Sequence, residues 1–409
     1  MLKDMLITQN KRLNPLYCRF SLCRKEKVMK VALICDVFGV SNNGTVIAAK
    51  NLIDALRQRG HTVRVVCADE NYRGISDYYI VPKFNFGPLN RYVEKNGVAP
   101  AKVQKSVLEA AIADVDIVHV MLPFSLGKAA AKYAHANGIP LSAGFHAQAE
   151  NITSHLCLQH LGFVNRMTYR IFYKRLYQYC DVIHYPTRFI CETFESIVGP
   201  TPHCVISNGV DGTFVPGPED KPVELRDRIV ILFTGRLSRE KAHRVLIDGV
   251  AASKYKKNIQ LIFAGEGPLR DALMRRARKK GIIMPIMGYL SRDELISVLH
   301  FADLYVHPAE IEIEAISCLE AIACGKVPLI ADSPKSATRR FALSDRNLFR
   351  YHDPEDLARK LDWWIEHPDE RNHCRQEYLS YAQRFGQQKC MDEMEKMLLN
   401  TIRELQCEV

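Results

Sequence analysis

Two glutamates in the C-terminal half of the 409-residue sequence have the residue type and spacing of a site that binds hydroxyl groups. Glu312 and Glu320 are separated by seven residues, and the run AIACG follows the second of them. The pattern predicts Glu312 in a loop and Glu320 inside a helix, roughly two turns later at ~3.6 residues per turn. A carboxylate in the loop suits the hydroxyls of a sugar, and one on the helix suits a ribose. Without a ligand, Glu312 and Glu314 would instead be acids that the helix dipole favours.

The segment GRLSREK places two cations where a diphosphate could lie. Arg236 follows the end of a predicted strand, and Lys241 comes five residues later. Arginine supplies a rigid bidentate fork, and lysine supplies a mobile point charge. Together they could offset the charge that develops on a departing nucleotide without a metal ion. The alternative is that both residues are solvated surface cations.

Two glycine-containing turns join a predicted strand to a predicted helix. The first is SNNG, which ends at Gly44, and the second is GEGP, which contains Gly265 and Gly267. A glycine in such a turn allows a ligand to approach the backbone, and the N-terminus of the following helix favours a phosphate. Each motif is explained equally well as an ordinary tight turn.

The alternation of apolar runs predicts the elements that would position these residues. KVALIC, a helical pattern ending at Gly60 and HTVRVVCA indicate a strand, a helix and a strand, and a second such set starts near residue 228. This order is typical of parallel sheets with helices on both faces, where ligands bind at the C-terminal ends of the strands. The fold class is therefore α/β, with two doubly wound domains. The predicted ranges are 29–214 for the N-terminal domain, 215–227 for a proline-rich hinge and 228–380 for the C-terminal domain.

Charge and composition narrow the choice of partner. The net charge of +10 favours anions such as phosphorylated substrates, acidic lipids or nucleic acid. Residues 1–28 hold seven basic and two acidic residues, and form either an upstream extension or a basic arm that touches an acidic membrane. No run reaches the ~18 apolar residues that span a bilayer. The thirteen cysteines are scattered without a CxxC pair, so no metal site is predicted.

Taken together, these motifs resemble those of the retaining family 4 glycosyltransferases. GRLSREK, GEGP, the glutamate pair and ISNGVDGTFVP at 206–216 occur in the order and spacing of that family. The resemblance implies the GT-B fold, in which two Rossmann-like domains face each other across a cleft. It also implies metal-independent transfer of a hexose from a nucleotide sugar, with retention at the anomeric carbon. The segment 381–409 is similar to the C-terminal helix that crosses back to the first domain.

The resemblance implies a role for each matching residue. Arg236 and Lys241 would bind the donor diphosphate, Glu320 the ribose and Glu312 the donor hexose. His146, in GFHAQAEN, matches the histidine that the family places beside the transferred sugar, although a histidine here would more often be structural. The implied catalytic residues are His146 and Glu312, and the implied donor-binding residues are Gly44, Arg236, Lys241, Gly265, Gly267, Ala315, Ile316 and Glu320.

The sequence departs from the family pattern after the first glutamate. The family has glycine, an aromatic residue and glycine, whereas this chain has Ile313, Glu314 and Ala315. Losing the glycines changes how backbone amides can approach the donor sugar. The identity of the hexose and the contacts of Ala315 and Ile316 therefore stay open.

The acceptor side is expected on the N-terminal domain. Residues 166–179 contain four basic residues and no acid, and three of the basic residues share one helical face. A basic helix with aromatic neighbours is typical of an interfacial membrane helix. The alternative is a helix that packs its apolar side inward. The basic residues are Arg166, Arg170, Lys174 and Arg175, and a second candidate surface is the loop 80–97, with Phe84, Phe86 and Tyr92.

The sequence also resembles family members that glycosylate membrane lipids. This likeness implies UDP-glucose or UDP-galactose as donor, diacylglycerol or a ceramide-like lipid as acceptor and no cofactor. It also implies a cytoplasmic protein held at the inner face of the cell membrane by anionic lipid. An enzyme that acts on a soluble or polyprenyl-linked glycan shares every donor motif and stays an alternative. An oxidoreductase is disfavoured because GxGxxG is absent after the first strand, and a nucleic-acid binder because no binding motif accompanies the charge.

Overall fold

The computed structural model describes residues 28–39, 44–85, 87, 101–154, 158 and 160–407. Most of the predicted basic extension, the turn residues that precede Gly44, and the aromatic residues Phe86 and Tyr92 lie outside the described residues. The structural account below concerns the described ranges.

The N-terminal domain is built on a seven-stranded parallel sheet. Its strands follow the order β3-β2-β1-β4-β5-β6-β7. Most strand residues are buried, as expected when helices cover both faces of a parallel sheet. The strands are β1 Lys30–Ile34, β2 Thr62–Cys67, β3 Tyr78–Ile80, β4 Ile117–Val120, β5 Leu141–Gly144, β6 Val182–Tyr185 and β7 His203–Val205. The helices are α1 Gly44–Gln58, α2 Lys105–Ile112, α3 Ser125–Ala136, α4 Ala149–Ser154, α5 Gly162–Arg175 and α6 Arg188–Val198.

The C-terminal domain has a six-stranded parallel sheet in the order β10-β9-β8-β11-β12-β13. This is the Rossmann order, in which the winding direction reverses between β8 and β11. The strands are β8 Ile229–Thr234, β9 Ile259–Ala264, β10 Ile286–Gly288, β11 Leu304–His307, β12 Pro328–Ala331 and β13 Leu348–Phe349. The helices are α7 His243–Ala252, α8 Arg270–Lys280, α9 Arg292–Phe301, α10 Ile316–Ala323, α11 Pro354–Glu366, α12 Pro368–Ala382 and α13 Gln387–Cys407.

Each sheet has its own hydrophobic core, which confirms the predicted α/β class with two doubly wound units. Reversal of the winding opens a crevice at the C-terminal ends of β1 and β4, and another at those of β8 and β11. The loops that carry Lys241 and Glu312 leave β8 and β11, so the topology alone brings them to the same crevice.

The chain crosses between the domains earlier than predicted. Ile206 packs in the first core, whereas Val210 packs in the second. The predicted hinge at 215–227 instead lies on the C-terminal domain, where the carbonyl of Val215 is 2.9 Å from His300 Nε2 and Lys221 pairs with Asp303 at 2.7 Å. Within the segment, Val223–Leu225 form a 3-10 helix. The contacts of Val215 and Lys221 hold the segment to the C-terminal domain. We call residues 206–210 the crossing segment.

The segment in which the chain returns to the N-terminal domain forms backbone hydrogen bonds with the crossing segment. The Val210 N–H donates to the carbonyl of Phe385 at 2.7 Å, and the Gln387 N–H donates to the carbonyl of Val210 at 2.9 Å. The helix that returns to the N-terminal domain begins at Gln387 rather than near Tyr381, because the backbone of Gly386 is extended and ends the preceding turn. Helix α13 then packs into the first core with Cys390, Met391, Met394, Met397, Leu398 and Ile402.

Replacing Gly209 with alanine should destabilise the protein by about 2 kcal/mol or more. Gly209 has φ +79°, and a Cβ there would lie 2.7 Å from Gln387 Cα. The substitution therefore combines a left-handed backbone with a clash between the two crossings. Urea denaturation measures the change in the free energy of unfolding. Gly212→Ala is the matched control, since a Cβ there would have no atom within 4 Å, and equal stabilities of the two variants would contradict the prediction.

Candidate functional site

Glu312 lies in the loop after β11, as predicted, and forms the most strongly paired carboxylate of the site. Its side chain is buried and makes an ion pair with Lys241, which lies in the loop after β8. His307 Nε2, at the end of β11, lies 3.2 Å from the same carboxylate oxygen. Burial alone would raise the pKa of Glu312, but the charge of Lys241 and the hydrogen bond from His307 outweigh it and hold the pKa at about 2. Glu312 is therefore a carboxylate at any physiological pH.

The loops after β8 and β9 approach each other closely, and this approach requires the predicted glycines. A Cβ on Gly265 would lie 2.2 Å from the carbonyl oxygen of Gly235, and one on Gly267 would lie 2.6 Å from that of Leu237. The backbone of Leu237 donates to the carbonyl of Glu266 at 2.9 Å. Gly265 and Gly267 thus shape the turn that presents Arg236, and contact with a donor stays a prediction for both.

Glu320 lies inside α10, four residues after its first residue, as the spacing predicts. It is half-buried, and burial raises its pKa to about 7. The charges that face it are Arg292 and Asp211, which are ion-paired with each other at 2.9 Å. Within the described ranges, no hydrogen bond or ion pair of its own engages the Glu320 carboxylate. The group is therefore available to accept hydroxyl hydrogens.

Ala315 has a left-handed backbone conformation, which a glycine would adopt with less strain. It precedes α10 with φ +59° and ψ +62°, in the left-handed region. This conformation costs an alanine roughly 1–2 kcal/mol. The turn into Ile316 is therefore formed here without a glycine. The residue before Ala315 is Glu314, which brings a further carboxylate to this loop.

His146 follows β5 and belongs to a group of three histidines at the C-terminal edge of the first sheet. Its ring lies 5.9 Å from that of His184, on β6, and a Cβ on Gly144 would lie 2.4 Å from its Nε2. Burial lowers the pKa of His146 well below its usual range, and lowers those of His119 and His184 to about 3 and about 4. The three rings are therefore neutral near pH 7. A neutral His146 has one ring nitrogen that can accept a hydrogen bond from a hydroxyl and one N–H that can donate a hydrogen bond, but it lacks the imidazolium proton of a general acid.

Gly44 is the first residue of α1. It is exposed, and a Cβ at this position would have no atom within 4 Å. The packing of the described residues thus does not require glycine here, and the predicted contact with a diphosphate stays a prediction.

The loops of the two domains meet beside the site. The Thr187 hydroxyl donates to the carbonyl of Ile313 at 2.8 Å. Gln148, two residues after His146, donates from Nε2 to the carbonyl of Lys335 at 3.0 Å. The loop that carries His146 and the loop that carries Glu312 are therefore each held by a hydrogen bond to a residue of the other domain.

Helix α5 exposes a surface that sequence reasoning found only in part. Its predicted basic residues, Arg166, Arg170, Lys174 and Arg175, are all exposed. The aromatic residues expected beside them pack inward instead, Tyr169, Phe172 and Tyr177 being buried. The apolar side chains that reach solvent are Phe163, Met167 and Ile171, with exposed fractions of 64%, 49% and 40%. Their spacing of four residues was a readable signal for a second stripe on the same face as the basic residues.

Two further observations concern metals and membranes. In the described part of the chain, one cluster has metal-binding side chains, Cys191, Glu195 and His203, with ligand atoms within 4.8 Å of one another. Glu195 there already accepts hydrogen bonds from the N–H and hydroxyl of Thr201. Among the helices of the described residues, none combines the length and apolar character needed to cross a bilayer.

Two family models match consecutive parts of the chain. The model described as Glycosyltransferase Family 4 matches residues 42–214, and the model described as Glycosyl transferases group 1 matches residues 218–378. The two matches run from the start of α1 into α12, across both doubly wound domains. The chain belongs to the family 4 glycosyltransferases and has the GT-B fold.

The names of two curated relatives specify different sugars. An alpha-monoglucosyldiacylglycerol synthase of Streptococcus pneumoniae is 23% identical over 381 residues, which are 88% of this chain and 84% of that protein. A GDP-mannose-dependent alpha-(1-6)-phosphatidylinositol dimannoside mannosyltransferase of Mycobacterium tuberculosis is 30% identical over 202 residues, which are 47% of this chain. The chain matches about half, 52%, of that mannosyltransferase.

One solved structure shares the fold over most of the chain, and another is similar in sequence over a shorter part. HepE of Anabaena, crystallised with UDP and glucose, has a TM-score of 0.72 at 15% identity and is matched over 91% of this chain and 100% of its own. The catalytic domain of cholesterol-alpha-glucosyltransferase from Helicobacter pylori is 45% identical and covers 38% of this chain and 96% of its own, with a TM-score of 0.37.

The pH dependence of stability should change when Glu320 is replaced by glutamine. Because burial raises its pKa to about 7 from a usual 4.5, the folded protein holds a proton there that the unfolded chain has lost between these pH values. This contribution to stability is present below pH 4.5 and disappears as the pH rises through 7. Glu320→Gln should therefore be more stable, relative to the parent, at pH 8.5 than at pH 5.

Thermal unfolding from pH 5 to 8.5 measures this difference in Tm. Asp36 and Glu314 also have pKa values raised to about 7 by burial, and both are present in the parent and in the variant. A difference in Tm that is constant across the range would show that Glu320 does not titrate in this way.

Proposed function

We propose that this chain transfers glucose or galactose from a UDP-sugar to a membrane lipid, diacylglycerol or a ceramide-like lipid, to make a glycolipid. The observation that carries the donor half is the buried contact of Glu312 with Lys241 and His307. A fixed carboxylate beside a cation offers an acceptor for sugar hydroxyls and a positive charge for a diphosphate. The acceptor half is supported by the S. pneumoniae relative, whose name is alpha-monoglucosyldiacylglycerol synthase.

In the proposed mechanism, transfer occurs on one face of the sugar with retention and without a metal. The acceptor oxygen bonds to the anomeric carbon, the bond from that carbon to the diphosphate oxygen breaks, and the acceptor proton passes to the departing diphosphate. Arg236 and Lys241 offset the charge that grows on the leaving group. Glu312 and neutral His146 accept hydrogen bonds from hydroxyls of the hexose, and Glu320 accepts those of the ribose. Contacts between the domains exclude water from the donor.

The acceptor would reach the site from an anionic membrane that binds α5. Phe163, Met167 and Ile171 form an exposed apolar stripe beside Arg166, Arg170 and Lys174. Such a helix lies in the interface plane, with its apolar residues among the acyl chains and its cations near the lipid phosphates. Each basic residue near an anionic surface contributes about 1 kcal/mol. The protein is accordingly proposed to be peripheral, and to bind no nucleic acid.

A second donor has specific support. The M. tuberculosis relative uses GDP-mannose, according to its name, and the glutamate pair and the two cations suit either nucleotide sugar. A soluble or polyprenyl-linked glycan is the alternative acceptor, because the donor residues do not distinguish acceptors.

A donor and acceptor matrix tests the proposal. UDP-glucose, UDP-galactose and GDP-mannose are each combined with diacylglycerol, ceramide or an oligosaccharide, and products are identified by mass spectrometry. We expect a hexosyl-lipid from a UDP-sugar. Product only from GDP-mannose, or only on the oligosaccharide, would replace the proposed donor or acceptor.

In the productive combination of donor and acceptor, Lys241→Ala should lower kcat by roughly 10²–10³-fold, because the positive charge that offsets the growing charge of the leaving group is lost. The substitution also leaves the buried Glu312 carboxylate without its ion-pair partner. Lys279→Ala, at an exposed position on α8, is the control. Near-parental turnover of Lys241→Ala, with an unchanged circular dichroism spectrum, would remove Lys241 from the donor site.

Flotation with vesicles rich in phosphatidylglycerol tests the role of α5. Replacing Arg166, Arg170 and Lys174 with glutamine should weaken binding by roughly 100-fold at low salt, since three charges contribute about 1 kcal/mol each. Replacing Phe163, Met167 and Ile171 with serine should weaken binding at low and at high salt, because the lost interaction is apolar. Arg359→Gln, at an exposed position on α11, is the control. Flotation unchanged in both triple variants would exclude this surface.

A further inference from the structure

The carboxylate of Glu314 is buried between the two domains. Its side chain is 4% exposed and accepts hydrogen bonds from the crossing segment. The donors are the Ser207 hydroxyl, the Asn208 N–H at 3.1 Å and Asn208 Nδ2 at 2.5 Å. None of these donors belongs to α10, so Glu314 does not act as a cap of the helix that follows it. The residue instead links the loop after β11 to the chain between the domains.

Hydrogen bonds alone hold this carboxylate. Across the described residues, no Lys, Arg or His forms an ion pair with Glu314. The titratable group that faces it from α13 is Cys390, whose thiol is neutral because burial raises its pKa to about 11. A buried acid without a counter-ion is costly compared with an apolar residue of similar size. A carboxylate in this place therefore calls for a role other than stability.

The position of Glu314 indicates that role. It lies two residues after Glu312 and immediately before Ala315, which leads into α10. On the other side, the Ser207 hydroxyl also accepts the Gly209 N–H at 3.1 Å, next to the backbone pairing of the two crossings. A continuous series of hydrogen bonds thus runs from the crossings to the donor-side loop.

We propose that Glu314 is a positioning residue that holds Glu312 and the start of α10 in register with the crossing segment, so that the donor site is coupled to the relative placement of the two domains. This inference deepens the proposed function and rests on it for its kinetic consequences. The hydrogen-bonded link itself can be tested without substrate.

The link is sensitive to protonation. As a carboxylate, Glu314 accepts from all of its donors, but once protonated one oxygen becomes a donor, and part of the set loses its acceptor. Burial raises the pKa of Glu314 to about 7, so this change falls near neutral pH. A glutamine has one accepting oxygen and one donating amide group, as the protonated acid does, so it keeps an acceptor for the Asn208 N–H and fixes the neutral form of the link at every pH.

Hydrogen exchange on the full chain at pH 8 is the direct test. Glu314→Ala should lower the protection factor of peptides covering 206–210 and 310–316 by about tenfold or more, because the Asn208 N–H loses a buried acceptor. Glu314→Gln should keep protection within about threefold of the parent, and Glu224→Gln, at an exposed position, is the control. Unchanged protection in Glu314→Ala would overturn the proposal whether or not the protein transfers sugar.

Kinetics with the productive donor then separates positioning from a merely structural role. The parent should lose kcat/KM for the nucleotide sugar as the pH falls below 7, and Glu314→Gln, which fixes the neutral form, should have a kcat/KM at pH 8 near the lower value of the parent below pH 7 and a correspondingly smaller acid limb. Glu314→Ala should lose about tenfold or more in kcat/KM at pH 8. An unchanged acid limb in Glu314→Gln would contradict the coupling. Absence of transfer in the parent would refute the proposed function and leave the exchange result to decide the link.

Discussion

The site depends on keeping three carboxylates apart within five residues. Glu310, Glu312 and Glu314 occupy alternate positions of the loop after β11, and bends at residues 310 and 313 interrupt the backbone there. Each of the three carboxylates meets its own partners. Glu310 pairs with Lys335 at 3.0 Å, Glu312 with Lys241, and Glu314 with uncharged donors of the crossing segment. Because these partners come from two loops of the C-terminal domain and from the crossing segment, the loop that carries Glu312 is held from several sides.

The winding of the two sheets makes this arrangement possible. In each sheet the order reverses next to the first strand, β1 or β8, and the loops that leave the two central strands open into one crevice. Lys241 and Glu312 are 71 residues apart in sequence, yet both follow central strands and meet there. The close turn at Gly265 and Gly267 then fixes the loop that carries Arg236. Gly265 and Gly267 thus shape the site by allowing the backbones of two loops to pack closely.

Local patterns predicted the elements, whereas the missed features depend on distant contacts. The spacing of Glu312 and Glu320 was enough to place one in a loop and one in a helix. The position of the crossing could not be predicted from the prolines of 215–227, because that segment is held by contacts with His300 on α9 and with Asp303, which lies between α9 and β11. Likewise, Glu314 read as a helix-start acid, since its hydrogen-bond partners lie 106 and 107 residues earlier. The inward turn of Tyr169 and its neighbours was left open, because a basic, aromatic helix can present either face.

The protonation states of these residues constrain the proposed mechanism. The charge of Lys241 and the hydrogen bond from His307 hold the pKa of Glu312 at about 2, so this group is a carboxylate at pH 7. His146 is neutral there because burial lowers its pKa. Neither can act as a general acid. Among the acids of the C-terminal domain, Glu314 and Glu320 have pKa values near 7. Glu314 is engaged with the crossing segment, and Glu320 lies on α10. In the proposed mechanism neither Glu312 nor His146 therefore protonates the departing phosphate, which instead takes the proton of the acceptor hydroxyl.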